Sequence, residues 1–168
     1  MIPLLVQPLT HAAFAPYGQV IDVAGAPSQI INQGMCARHS DLASLDVRGG
    51  CLGISLFDAQ PRALPYVIDM VERHPNGTQA FLPIQVHSYL VVVADDLDGT
   101  PHGLRAFLAS AAQGINLKRG VWHGVLSPLK QQSLFAVIDR IPADANLEEF
   151  RLPEKYVITG YCQVVCSV

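Results

Sequence analysis

The chain has 168 residues, enough for one domain with a sizeable core, and only 15% of them are charged while 50% belong to the apolar set. A net charge of −3, a pI near 6.0 and no run of Lys or Arg argue against nucleic acid or an anionic membrane as a partner. The opening from Met1 to Val6 has neither a basic region nor a cleavage-type segment, and the longest apolar run, Tyr89 to Ala94, is too short to span a bilayer, so neither signal peptide nor spanning helix is expected.

Cysteines at positions 36, 51, 162 and 166 form no Cys-x-x-Cys pair and have no secretory context, which predicts reduced thiols in a cytoplasmic protein. Cys162 and Cys166 lack the companion ligands a metal would need. The surplus of apolar side chains over the needs of one small core suggests an oligomer interface.

After an opening strand, Thr10 to Phe14 reads as a short helix: Thr10 can cap, Ala12 and Ala13 favour helix, and Pro16 with Gly18 stops it. Gln19 to Val23 alternates like a strand, residues 25–28 form a loop, and Ile30 to Gly34 lead to Arg38, His39 and Asp41, with His39 read as a surface loop residue. Cys51 to Phe57 reads as a strand. Pro61 and Pro65 bracket a bend before Val67 to Glu72.

Val86 to Ala94 is the strongest strand, and its unbroken apolar centre predicts that both faces are covered. The stretch from Asp95 to Gly103 reads as an exposed loop; its Asp residues lack the remaining spacing of a calcium loop, and His102 goes with it. Leu104 to Ala109, Ile115 to Lys118 and Ser133 to Asp139 complete the strand series. Residues 142–150 read as a loop or short helix, and 156–158 and 164–166 as an added strand or tail, with no functional residue expected past Arg140. About eight short β-rich runs with one short helix point to a barrel or jelly roll.

Two stretches carry chemistry. The first runs from Glu72 to Pro83. In an extended segment Glu72 and His74 share a face, Pro75 holds His74 extended, and Asn76-Gly77 predicts a positive-φ turn that returns Gln79 beside His74. The second is Lys118 to Gly124, a Gly-x-x-His turn bearing the single Trp. A barrel could bring Glu72, His74, Gln79, Arg105 and His123 into one cavity.

Together the stretches resemble the two-part motif of cupin barrels, with Glu72 at the first His, His74 at the second, Gln79 at the Glu and His123 at the second-part His. The variant formed by residues 72–75, 77–81, 104–107 and 121–123 is similar to the ureidoglycolate lyase family of allantoin degradation, over about Gln7 to Arg140. The resemblance implies a mainly β fold, a cupin-like antiparallel barrel or jelly roll with a few short helices. It forms one domain over residues 1–168, with 142–168 as a C-terminal extension packed on the barrel. It also implies a homodimer that cleaves ureidoglycolate to glyoxylate and urea.

That reaction needs a carboxylate anchor, a base and an acid. His74, His123 and Glu72 are the candidate catalytic groups, since imidazoles titrate near neutrality and the carboxylate can orient one or act as base. Arg38, Arg73, Arg105 and Arg119 could anchor a carboxylate through the guanidinium fork. Strand position and the family match favour Arg38 and Arg105. Gln79, Tyr89 and Trp122 complete the expected substrate contacts. Should a metal bind, Glu72, His74, Gln79 and His123 are its expected ligands, a borderline set open to nickel, zinc or iron, with nickel the family's association and metal-free catalysis the alternative. No organic cofactor is expected. The competing functions are a non-catalytic small-carboxylate binder, an amidohydrolase releasing ammonia from the same substrate, and an iron oxygenase on the same barrel.

Overall fold

The computed structural model describes residues 1–85, 87–141 and 145–161. The chain opens with β1 (Ile2–Pro3) and β2 (Val6–Pro8), then the helix α1 (His11–Phe14), which begins where Thr10 Oγ1 accepts the Ala13 N–H at 3.2 Å. Next come β3 (Gly18–Ile21), β4 (Gln29–Ile31), β5 (Cys36–Arg38), β6 (Cys51–Ala59), β7 (Tyr66–Arg73) and β8 (Gln79–Gln85). The second half carries β9 (Tyr89–Leu97), β10 (Thr100–Ala109), β11 (Gly114–Leu117), β12 (Trp122–His123), β13 (Ser127–Pro128), β14 (Ser133–Ile141) and β15 (Glu148–Ile158).

Two sheets face each other. One has eight strands in the order β1-β15-β7-β12-β9-β10-β2, with β13 also paired to β9; the other has five, β3-β11-β8-β14-β6. A small third sheet joins β4 to β5. Pairing is antiparallel except at the ends of the larger sheet, where β1 runs parallel to β15 and β2 to β10. This is the mainly β, barrel-type architecture the sequence predicts.

The main core lies between the sheets. Tyr89, Val91 and Val93 of β9 and Phe107 of β10 meet Phe81, Ile115, Leu117, Phe135 and Val137 of the smaller sheet, with Phe14 of α1 set edge-on against Phe107 at 5.7 Å. The alternate residues of β9, Leu90 and Val92, pack in a second cluster on the outer face with Ile68, Ala106 and Ile158. Both faces of β9 are thus covered, as its apolar run requires. Val86, the expected start of that strand, lies outside the described residues.

Three local expectations are corrected. The stretch from Asp95 to Gly103 is not a loop: β9 and β10 extend through it and reverse at Asp98-Gly99, where φ is 51° and 81°, the positive pair of a tight hairpin turn. Glu72 and Gln79 are not joined by a hairpin either, because β7 and β8 belong to different sheets and residues 74–78 cross between them. Gly77 does not have the positive φ of the predicted turn; a Cβ there would sit 2.9 Å from the Cβ of Arg140, so close approach is what calls for glycine.

The C-terminal segment also differs. Residues 148–158 form an eleven-residue strand inserted between β1 and β7, so Glu148 to Phe150 are strand, where a loop or short helix was predicted. Residues 142–144 and 162–168, including Cys162 and Cys166, lie outside the described residues.

Candidate active site

Register explains how distant residues meet. His123 on β12 is the cross-strand partner of Glu72 on β7 and of Val93 on β9, and Val93 is the partner of Arg105 on β10. Cross-strand partners present their side chains on the same face. Because Val93 belongs to the core between the sheets, Glu72, His123, Val93 and Arg105 form one lateral row on the inner face. From the opposite sheet Gln79, partner of the inward-facing Leu117, projects into the same interior.

His74 follows the end of β7 and is held there by neighbours on both sides. Its carbonyl accepts the Gly120 N–H at 3.0 Å, and Gly120 takes φ +77° to make the turn that delivers Trp122 and His123. The two halves of the motif are thereby tied directly.

Ligand-capable atoms of Glu72, His74 and His123 all lie within 4.8 Å of one another. Both imidazoles have a fixed tautomer. His74 Nδ1 lies 2.7 Å from the carbonyl of Asn146, and His123 Nδ1 lies 3.1 Å from that of Gly124. A carbonyl only accepts, so each Nδ1 carries a proton, and in the neutral ring each Nε2 is left with a bare lone pair. Both Nε2 atoms are buried with no hydrogen-bond partner among the described residues.

Gln79 follows the same rule. Its amide nitrogen points to Asp139 Oδ2 at 3.4 Å, and its Oε1 is buried without a partner. Acceptors without donors are costly to bury unless something positive sits among them, and a shared cation or proton supplies that. The grouped donors, two imidazoles and a carboxylate, fit a borderline divalent ion.

Electrostatics agree with an enclosed site. Burial pushes the Glu72 carboxyl above its usual value, with His74 pulling it back and Glu149 adding to the rise. Burial pushes His123 down to about 4, reinforced by His74 and opposed by the hydrogen bond to Gly124. A narrow cavity lined by Phe81, Tyr89, Val91, Leu117, His123 and Leu126 adjoins this imidazole.

The remaining predicted residues are placed as follows. Arg105 is exposed at the open end of the row, near Tyr17. The Tyr17 phenol is pushed up to about 12 by burial, by its 2.8 Å hydrogen bond to Asp95 and by the Asp95 charge, with Arg105 pulling it back. Tyr89 lines the cavity with its ring, but its hydroxyl donates to the Gln113 carbonyl at 2.7 Å. Arg38 is exposed on β5, in the separate two-stranded sheet, with no side-chain hydrogen bond or ion pair among the described residues.

Trp122 is placed apart from this row. It neighbours His123 on a two-residue strand, so it points to the opposite face, where it packs with Val71, Ala94 and Phe150 and donates from Nε1 to Asp96 at 2.7 Å. Arg73, next to Glu72, follows it there: its guanidinium lies 4.3 Å over the indole and binds Asp96 and Glu148. Arg119 is paired with Asp46 at 2.8 Å.

Asn146 was missed, because no functional residue was expected past Arg140. Its backbone oxygen is the His74 partner, and a backbone contact of this kind leaves no mark in residue type. Asp139 was read only as a strand end; Asp139 and Gln79 are far apart in sequence, and β14–β8 register places them side by side.

The chain as a whole is similar to known proteins. Residues 1–159 match the family model described as ureidoglycolate lyase. The chain is 53% identical over 158 residues to the ureidoglycolate lyase of Rhodobacter capsulatus, covering 94% of this chain and 98% of that protein. It is 44% identical over 160 residues to ureidoglycolate lyase 2 of Rhizobium meliloti, covering 94% and 98%. Among solved structures it is similar to a dTDP sugar isomerase from Desulfovibrio desulfuricans G20, at 20% identity over 81% of this chain and 83% of that one, with a TM-score of 0.48.

Proposed function

The chain belongs to the ureidoglycolate lyase family, and from that premise we propose that it cleaves ureidoglycolate to glyoxylate and urea, with Glu72, His74 and His123 as its reacting groups. The observation that carries the assignment to these residues is the convergence of ligand-capable atoms of Glu72, His74 and His123 within 4.8 Å, with both imidazole Nε2 atoms buried.

Ureidoglycolate has one carbon bearing a carboxylate, a hydroxyl and a urea nitrogen. Cleavage takes the hydroxyl proton, turns its C–O bond into a carbonyl, breaks the C–N bond and returns a proton to the departing nitrogen. A group with an open lone pair takes the first proton, and the Nε2 atoms and Glu72 each offer one. A Glu72 carboxyl raised by burial holds a proton more readily than a free carboxylate does, which suits it to give one back. Arg105, in the same lateral row, is the anchor we favour for the substrate carboxylate, because its fork binds both oxygens and stays charged. We retain Arg38, Gln79, Tyr89 and Trp122 as second choices only: Trp122 and the Tyr89 hydroxyl are engaged elsewhere, and Arg38 lies on a separate sheet.

Glu72, His74, Gln79 and His123 would hold a nickel ion, which when bound supplies a Lewis acid that lowers the pKa of the substrate hydroxyl. The free thiols of Cys36 and Cys51 accord with a cytoplasmic place in purine nitrogen breakdown.

We further take the protein to act as a homodimer joined through β6. That strand is an edge, hydrogen-bonded only to β14 among the described residues, and its outer face exposes Ile54 at 75% and Leu56 at 65%. It lacks the lysines and prolines that protect lone edges, and a second copy in isologous antiparallel pairing would cover both its backbone and its apolar face.

The test is to incubate chelator-treated protein with ureidoglycolate, with and without nickel, and to quantify urea, ammonia and glyoxylate together. Equal urea and glyoxylate are expected. Ammonia in place of urea would mean an amidohydrolase, and no product in either condition would leave a carboxylate-binding barrel.

A further inference from the structure

Residues 145–147, which lead into β15, lie beside His74. Asn146 makes two contacts there, each 2.7 Å: its backbone oxygen accepts from His74 Nδ1, and its side-chain Oδ1 accepts from the backbone N–H of Asn76. Asn76 is itself fixed, since its carbonyl accepts the Arg48 N–H at 2.8 Å. The side chain of Asn146 therefore pins its own carbonyl at a set distance from the imidazole.

We propose that Asn146 is a positioning residue, whose side-chain clamp on Asn76 holds its carbonyl against His74 and so keeps the His74 Nε2 lone pair turned toward Glu72 and His123. This rests on the reading that those three groups form the reacting site. Without the clamp the segment from 145 to 147 loses its anchor next to β7, and the ring is free to take the other tautomer or to rotate. With Nε2 protonated, His74 would turn a donor toward the site and could neither accept a proton nor ligate a metal through that atom. Outer partners of this kind fix the tautomer and orientation of a ligating imidazole, and their loss costs roughly 10- to 100-fold in metal affinity or activity.

Asn146 is an economical residue for the task. An amide at that position offers an acceptor to Asn76 while adding no charge beside Glu72 and the two imidazoles, where a further carboxylate would compete for the same proton or cation.

The test uses full-length, chelator-treated protein labelled with 15N. Long-range 1H–15N spectra at mildly alkaline pH report which ring nitrogen of His74 carries the proton, and calorimetric titration with nickel reports the lone pair's availability. Wild type is expected to show the Nδ1–H tautomer. Asn146→Ala is expected to mix the tautomers and to weaken nickel binding about 10- to 100-fold with the fold retained. Asn146→Asp keeps an acceptor for the Asn76 N–H and is expected to restore the Nδ1–H tautomer. A wild-type His74 protonated on Nε2 would overturn the proposal before any variant is made. So would a folded Asn146→Ala protein with the wild-type tautomer and nickel affinity. The tautomer is read without substrate or metal, so failure to release urea would count against the lyase reading and leave this measurement standing.

Discussion

The rings of His74 and His123 lie 5.4 Å apart between centroids with their planes inclined by 37°, one from the end of β7 and the other from β12. Their Nε2 atoms, both unpartnered, and the Glu72 carboxylate lie within reach of one proton or one cation. Groups that act on one particle act as a unit. His74→Ala and His123→Ala are each expected to lower kcat/KM by roughly 100- to 10,000-fold, and the double variant to fall little further. Steady-state kinetics on the three proteins check this, and independent, multiplying losses would mean that the imidazoles do not share a role.

His123 also couples stability to pH. Its ordinary value of 6.5 falls to about 4 in the folded protein, so between those limits the unfolded chain holds more protons than the folded one. The stability it contributes is present above about 6.5 and is lost as the pH falls toward about 4, by up to about 3 kcal/mol if His123 acted alone. Glu72 has the opposite sign: its raised carboxyl binds a proton more tightly when folded, so its contribution is present at low pH and is lost as pH rises through the raised value. Urea denaturation of chelator-treated protein across this range should show falling stability toward acid, with a shallower slope in His123→Gln. Equal slopes in the two proteins would count against buried neutral His123 as the cause.

Arg105 shares a lateral row with His123 but sits at its exposed end. As the carboxylate anchor it should act on binding more than on turnover. Arg105→Ala is expected to raise KM about 10- to 100-fold, and Arg105→Lys to recover only part of it, because an ammonium cannot reproduce the two-pronged contact. An unchanged KM in both would remove Arg105 from the site.

Trp122 provides the contrasting case. Its indole N–H bonds Asp96 and its ring supports Arg73, all on the face away from the imidazoles. Trp122→Phe is expected to leave kcat/KM within a few-fold and to cost about 1–3 kcal/mol of stability, since a buried partner of Asp96 is lost. Large kinetic loss with intact stability would place the indole in substrate binding after all.

The β6 edge predicts the assembly. Ile54→Lys puts a charge in the centre of the apolar strip at its most exposed position, and light scattering is expected to give a dimer mass for the wild type and a monomer mass for the variant. An unaltered mass would move the interface elsewhere.

The sequence by itself determined the strand-rich architecture, the capped helix at Thr10, the two-faced burial of β9 and the candidate side chains Glu72, His74 and His123 that the fold brings together. These follow from short-range rules: alternation, capping, β-branched runs and the types of side chain able to exchange protons or bind metal. The tertiary structure alone decided which neighbours share a face with them. Glu72 and Gln79 lie seven positions apart in the chain, yet they come from opposite sheets, because residues 74–78 cross the barrel and do not close a hairpin. His123 and Trp122 adjoin in sequence and point to opposite sides, a choice fixed by the pairing of β12 with β7 and β9. Asn146 reaches His74 through a backbone oxygen, and every residue carries one, so only the packed chain could single it out.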